Sequence, residues 1–200
     1  LFRQTTDIMI HNLFATPVGE VFNKKHFDTE KEVTEECMKI KKEVKKGGDN
    51  WESNVFNTCG TYQIHLNAKF NSITKFVYDN IYEFADVIGY KNRKINCDSS
   101  WINYYKPGDY QEEHDHITDQ LVSIYYLQTD RNCGNLKVNG PLLRTIPPLY
   151  DKNNAYTWQS FNFTPEPGKL IMFKSDIRHS VERNESDKMR ISLAYNFKIL

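Results

Sequence analysis

The sequence predicts one mainly β domain, a sandwich or barrel whose strands fill the second half of the chain behind a helical first half. Three observations carry that reading. After Lys91, short aromatic and β-branched runs alternate with turn residues at Pro107-Gly108, Asn139-Gly140-Pro141, Pro147-Pro148 and Pro165-x-Pro167-Gly168. Before Lys91, apolar residues recur at helical spacing. Aromatic residues make up 14% of the 200 positions, with 12 Tyr and 12 Phe beside only 9 Gly. Such a bias suits strands packed face to face and opposes disorder.

Residues 13–21, with Pro17 and Gly19, read as a short extended lead-in. A first helix is expected over 27–46. Asp28 or Thr29 offers an N-cap oxygen, Val33, Cys37, Ile40 and Val44 form the apolar stripe, and Gly47-Gly48 is the stop. A second helix is expected over about 68–87. Phe70, Ile73, Phe76, Val77, Ile81 and Phe84 make its broad apolar face, and Gly89 closes it. Strands are expected over 99–105, 121–127, 135–138, 158–163, 170–173, 179–182 and 190–197. Residues 141–157 are the longest loop. No internal repeat or interdomain linker breaks the chain, so residues 1–200 read as a single domain.

Charge and cysteine content narrow the classes. With 26 basic and 26 acidic side chains the formal net charge is zero, so nothing argues for a nucleic-acid surface. No apolar run approaches the ~18 residues of a membrane span. Residues 1–10 lack the basic and apolar regions of a secretory leader. Cys37, Cys59, Cys97 and Cys133 form no CxxC pair, which disfavours a zinc knuckle and suggests a reduced, intracellular protein.

The chemistry sits among the histidines. His114 and His116 stand at i and i+2, the spacing at which a strand points two side chains to one face, and two imidazoles on one face suit a transition metal. Gln111, Glu112, Glu113 and Asp115 surround the pair, so a solvated turn is the competing reading. His179 follows an apolar strand 65 residues after His114, and Arg190 and Ser192 share one face of the last strand. His11, His26 and His65 read as structural or surface residues. Of Tyr104-Tyr105 and Tyr125-Tyr126, at most one member of each pair can face any one pocket.

In order and spacing, a set of motifs resembles the Fe(II)- and 2-oxoglutarate-dependent oxygenases, closest to the prolyl-4-hydroxylase-like group and its bacterial and phage members. The set is Trp101-x-Asn103, Tyr105-x-x-Gly108, His114-x-His116, Tyr125-Tyr126-Leu127, Gly134-x-Leu136, Pro167-Gly168-x-Leu170-x-x-Phe173, His179-x-Val181 and Arg190-x-Ser192. Leu13-Phe14-x-x-Pro17-Val18 resembles the first strand of that group. The resemblance is firm over residues 95–198 and loose before them. It implies a double-stranded β-helix, a jelly-roll of two sheets over 95–198, with residues 1–94 as a helical support.

It also implies a dioxygenase that hydroxylates a peptide side chain, such as a prolyl group, or a small molecule, releasing succinate and CO2. Its cofactor would be Fe(II), with 2-oxoglutarate and dioxygen as co-substrates. Iron would be held by His114, His116 and His179, and 2-oxoglutarate by Arg190, Ser192, Tyr105 and Asn103. The usual pattern has a carboxylate where this chain has His116. Asp115 has the right chemistry but the wrong strand parity unless a bulge re-aims it, and Asp119 is available if the turn folds back. A cupin-like metal enzyme would need the three histidines but not Arg190, and a non-catalytic jelly-roll would need neither.

Overall fold

The computed structural model describes residues 9–47, 51–90, 94–140, 149 and 151–200. In chain order the elements are β1 (Val18–Phe22), α1 (His26–Glu43), β2 (Phe56–Asn57), short 3-10 turns at Ile64–Leu66 and Ala68–Phe70, and α2 (Asn71–Val87). Then follow β3 (Ile95–Tyr105), β4 (Gln111–His114), β5 (Leu121–Gln128), β6 (Leu136–Asn139), β7 (Ser160–Phe163), β8 (Lys169–Lys174), β9 (His179–Val181) and β10 (Arg190–Ile199). Two antiparallel sheets form the jelly-roll. The larger has the order β1-β8-β5-β10-β3-β2 and the smaller β4-β9-β6-β7. Among the described residues, no helix is long and apolar enough to cross a membrane.

The larger sheet is buried on both faces, and residue parity sorts its side chains. Ile102 and Tyr104 of β3, Leu121, Tyr125 and Leu127 of β5, Leu170 and Met172 of β8, and Ile191, Leu193, Tyr195 and Phe197 of β10 face the helices. There they share one core with Val33, Cys37 and Ile40 of α1 and Ile73, Val77, Ile81 and Phe84 of α2. The opposite parity faces the smaller sheet, where Val122, Tyr126, Ile171 and Phe173 pack on Leu136, Val138 and Ile177. The helices thus fill one side of the larger sheet and leave the other to the space between the sheets.

The strands follow the expected pattern, and the differences have local causes. The first half is not purely helical. Its β1 pairs with β8 and its β2 with β3, so both edges of the larger sheet come from residues ahead of 95. β1 overlaps the extended lead-in expected over 13–21, whereas β2 is too short to register as periodicity. Helix α1 begins at His26, ahead of Asp28 and Thr29, with Lys25 at its N-cap and no side-chain cap. Tertiary contact overrides the local capping signal here: His26 is buried and its Nδ1 meets the Tyr125 hydroxyl at 2.8 Å. The helix ends at Glu43, and Val44 is already extended. Gly47 serves a close approach instead, since a Cβ there would lie 1.9 Å from the Cys59 carbonyl oxygen. Gly48 and most of the long loop, 141–148 and 150, lie outside the described residues.

Ile81 sits mid-helix in α2, fully buried in the core that couples both helices to the larger sheet. Ile81→Ala should cost about 2–5 kcal/mol through lost burial and a residual cavity. Urea unfolding should show a lower midpoint with an unchanged m-value.

Candidate metal and dicarboxylate site

Between the sheets, the sequence brings three imidazoles together from two neighbouring strands. β4 and β9 pair antiparallel with His114 opposite His179, the last residue of one strand against the first of the other. The register of β4 is irregular between Gln111 and His114. His116 lies just beyond β4, and its backbone N–H donates to the Ser175 carbonyl at 2.8 Å. Ring centroids are 5.2 Å apart for His114–His116, 4.3 Å for His114–His179 and 5.2 Å for His116–His179. One ring nitrogen from each lies within 4.8 Å of the others.

Backbone carbonyls set two of the rings. His114 Nδ1 donates to the Glu112 carbonyl at 2.8 Å and His179 Nδ1 to the Ile177 carbonyl at 2.9 Å. A carbonyl can only accept, so each Nδ1 carries the proton and each Nε2 keeps its lone pair for a ligand. Burial, reinforced by the neighbouring His114, pushes the His116 ring down to about 4. Burial and both neighbouring imidazoles hold His179 well below the ordinary histidine range. His116 and His179 are therefore neutral at pH 7, the protonation state that metal ligation needs. Three imidazole nitrogens on one side of a cavity fit a first-row transition metal. Asp115 is exposed and outside the cluster, and Asp119 is buried but also outside it.

An aromatic ring lies against each imidazole. Trp101 stacks on His116 at 5.7 Å, Phe173 meets His179 edge-on at 4.9 Å, and Trp51 tilts over His114 at 6.0 Å. Trp101 and Phe173 are buried in the larger sheet, whereas Trp51 is half-buried and comes from the segment ahead of β2. That segment is tied to β4. The Glu112 carboxylate accepts the backbone N–H groups of Glu52 at 2.9 Å and Ser53 at 3.2 Å, and the Ser53 hydroxyl donates to Gln111 Oε1 at 3.1 Å. Burial alone would raise the Glu112 carboxyl, but the hydrogen bonds it accepts outweigh burial and lower it.

The other half of the cavity is built round Arg190. This arginine is 1% exposed, on the β10 parity that faces the smaller sheet. Its Nη1 donates to the Cys133 carbonyl at 3.0 Å and the Gly134 carbonyl at 2.6 Å, and its guanidinium lies 3.9 Å from the Tyr105 ring centroid. Its Nε is buried without a partner, and no carboxylate among the described residues pairs with it. Gly134 makes this approach possible. Its φ is +86°, and a Cβ would lie 2.1 Å from the Glu182 carbonyl oxygen. Tyr105, Tyr126, Asn103 and Ser192 line the same cavity with the three histidines. Burial raises the Tyr105 and Tyr126 phenols while Arg190 opposes the rise, so both remain protonated donors. Asn103 Oδ1 accepts the Trp101 indole N–H at 3.1 Å.

Every residue expected at the site is in the cavity except the two alternative carboxylates, Asp115 and Asp119. One member of each tyrosine pair faces the cavity, Tyr105 and Tyr126, and Tyr126 was not among the expected site residues. Two further lining residues, Gln111 and Trp51, carry no motif. Gln111 precedes the histidine pair on β4, where strand parity could have found it, whereas nothing in the sequence around Trp51 signals its place. His11 is exposed, and His65 meets the Ser100 hydroxyl at 2.7 Å, so neither belongs to the cluster.

Comparison with known proteins agrees with this geometry. Residues 99–196 match the family described as "Putative 2OG-Fe(II) oxygenase". No curated protein sequence matches the chain. Among solved structures, a Pseudomonas putida prolyl-4-hydroxylase is similar at 14% identity and TM-score 0.60, covering 93% of this chain and 94% of that one. The viral collagen prolyl hydroxylase of Paramecium bursaria Chlorella virus-1 is similar at 13% identity and TM-score 0.57, covering 90% and 94%. The carbocyclase SnoK from nogalamycin biosynthesis is similar at 14% identity and TM-score 0.64, covering 91% and 79%. The family match spans the jelly-roll strands that line the cavity, and together with the site it supports a 2OG-Fe(II) oxygenase, an enzyme that uses iron, 2-oxoglutarate and dioxygen.

Proposed function

We propose that this oxygenase hydroxylates an aliphatic C–H bond of its substrate while 2-oxoglutarate is converted to succinate and CO2. One observation carries the reading: a buried guanidinium that has no carboxylate partner among the described residues shares a cavity with three clustered imidazoles. A buried charge without a counter-charge is costly, and a dicarboxylate removes that cost. In this reading His114, His116 and His179 hold the iron, and Arg190 takes the distal carboxylate of 2-oxoglutarate. The Ser192 hydroxyl, beside it on the same face of β10, adds a donor, as do the Tyr105 and Tyr126 phenols. Asn103 keeps Trp101 in place against His116 through the indole hydrogen bond.

Bound iron would activate dioxygen, the oxidant, which gives one oxygen atom to the substrate and the other to succinate, and the protein's residues do the positioning. The Cys133 and Gly134 carbonyls and the Tyr105 ring fix the guanidinium before any ligand arrives, so little order is lost on binding. Val122, Ile124, Val181 and Ala194 line the cavity with apolar surface that excludes water. Trp51, the half-buried member of the aromatic shell, forms the wall towards the substrate. A prolyl or other peptide side chain is the first substrate class to assay, because two of the similar structures are named as prolyl hydroxylases.

Arg190→Ala should weaken 2-oxoglutarate binding to the iron-loaded protein by roughly two orders of magnitude or more, the scale of a truncated buried charge pair. Succinate release should fall with it. Iron content after anaerobic loading should drop in His116→Ala and persist in Asp115→Ala. Retention by the first together with loss by the second would give the ligand role to Asp115.

The lowered imidazoles also set the acid stability of the metal-free protein. Below pH 6.5 the unfolded chain takes up protons that folded His116 and His179 refuse, so stability falls with pH. For His116 the loss runs from about pH 6.5 to about 4 and levels off below that. Metal-free thermal unfolding should show a falling Tm across that window, and a smaller fall in His116→Ala.

A further inference from the structure

His114 and His179 each give Nδ1–H to the carbonyl two residues upstream, but His116 makes no such bond, because its own turn is held by other contacts. Its backbone N–H donates to Ser175 and its carbonyl accepts the Asp119 N–H at 3.0 Å. Asn196 reaches this turn from β10 through the Asp119 side chain. Asn196 continues the face of β10 that carries Arg190, Ser192 and Ala194, the row directed between the sheets. It is 6% exposed, its Oδ1 is buried without a hydrogen-bond partner, and its Nδ2 donates to Asp119 Oδ2 at 3.1 Å. Asp119 is 5% exposed, and the same oxygen also accepts the Thr118 hydroxyl at 3.1 Å. The Ser175 hydroxyl donates to the Asp119 carbonyl at 2.6 Å, which locks the 116–119 turn onto the segment after β8.

We propose that Asn196 and Asp119 are positioning residues for His116: Asn196 Oδ1 accepts the ring N–H of the metal-bound imidazole, and Asp119 holds the Asn196 amide in the orientation that presents this oxygen. The amide can face only one way in this arrangement. Its NH2 must point to the carboxylate, because a carboxylate oxygen only accepts, and that turns the carbonyl oxygen towards the ring. The carboxylate absent from position 116 thus stands behind it, two hydrogen bonds from the metal. Partners of this kind fix ring orientation and raise ligand basicity, and their removal typically costs about 10–100-fold in metal affinity. The inference rests on His116 being a ligand.

The test uses Co(II) as a probe of the full chain, read by competition titration and by its ligand-field absorption. Asn196→Ala should weaken Co(II) binding about 10–100-fold and alter the absorption bands. Asp119→Asn, which lets the Asn196 amide turn, should give a smaller loss of the same kind. In a His116→Ala background the Asn196→Ala effect should vanish to within about twofold, as expected when one residue acts only through another. An equal loss with and without His116 would assign Asn196 a merely structural role and overturn the proposal. Should Asn196→Ala not fold, the Zn(II)-loaded wild type decides by imidazole N–H resonances: three exchange-protected ring protons support the proposal, and only those of His114 and His179 refute it. Unchanged Co(II) affinity in His116→Ala would instead sink the underlying assignment of His116.

Discussion

Everything at the site depends on β10 being buried on both faces in the middle of the larger sheet. It pairs with β3 on one side and β5 on the other, and its ten residues alternate between two chemistries. Ile191, Leu193, Tyr195 and Phe197 complete the apolar core under the helices, whereas Arg190, Ser192, Ala194 and Asn196 line the space between the sheets. A one-residue slip would put the guanidinium into the hydrophobic core and the aromatics into the cavity. Two ladders and a packed core therefore oppose any register that misplaces Arg190. Fold stability and site geometry are one constraint.

That constraint explains why much of the molecule was legible in its sequence. Strand periodicity is strict, so Arg190 and Ser192 share a face, and one tyrosine of each adjacent pair must turn inward, by counting alone; His114 and His179 fall at strand ends marked by turn residues. The less legible parts depend on tertiary contact. The start of α1 is set by buried His26 against Tyr125 and not by Asp28 or Thr29. The edge strand β2 is too short to show an alternation, and β1 and β2 exist because β8 and β3 have open edges to fill. Trp51 reaches the cavity because Glu112 and Gln111 capture the backbone and side chain of a segment about 60 residues away in sequence. Local pattern carries no trace of such a contact.

The electrostatics of the cavity follow from what burial forbids. His116 and His179 are too deeply set to hold a proton at neutral pH, so the ligand cluster offers lone pairs. Arg190 pairs with no carboxylate among the described residues, so its half of the cavity holds a guanidinium fixed in place by two carbonyls. A metal dication beside that charge leaves the cavity strongly positive, and the ligand that suits it is a dianion bridging the two. The two sub-sites therefore reinforce one another, since each is incomplete in charge without the species that spans them.

With His116 as the proposed third ligand, this balance takes a particular form. A carboxylate ligand would cancel one positive charge at the metal itself, whereas a neutral imidazole cancels none. The chain instead buries a carboxylate at Asp119, on the turn that carries His116, and hydrogen-bonds it to Asn196 on the same face of β10 as Arg190. At that remove the charge still acts through a low-dielectric interior but no longer occupies a coordination position. The amide that holds the Asp119 carboxylate and the cationic anchor of the cavity thus share one strand, with Asn196 and Arg190 at opposite ends of its inward-facing row.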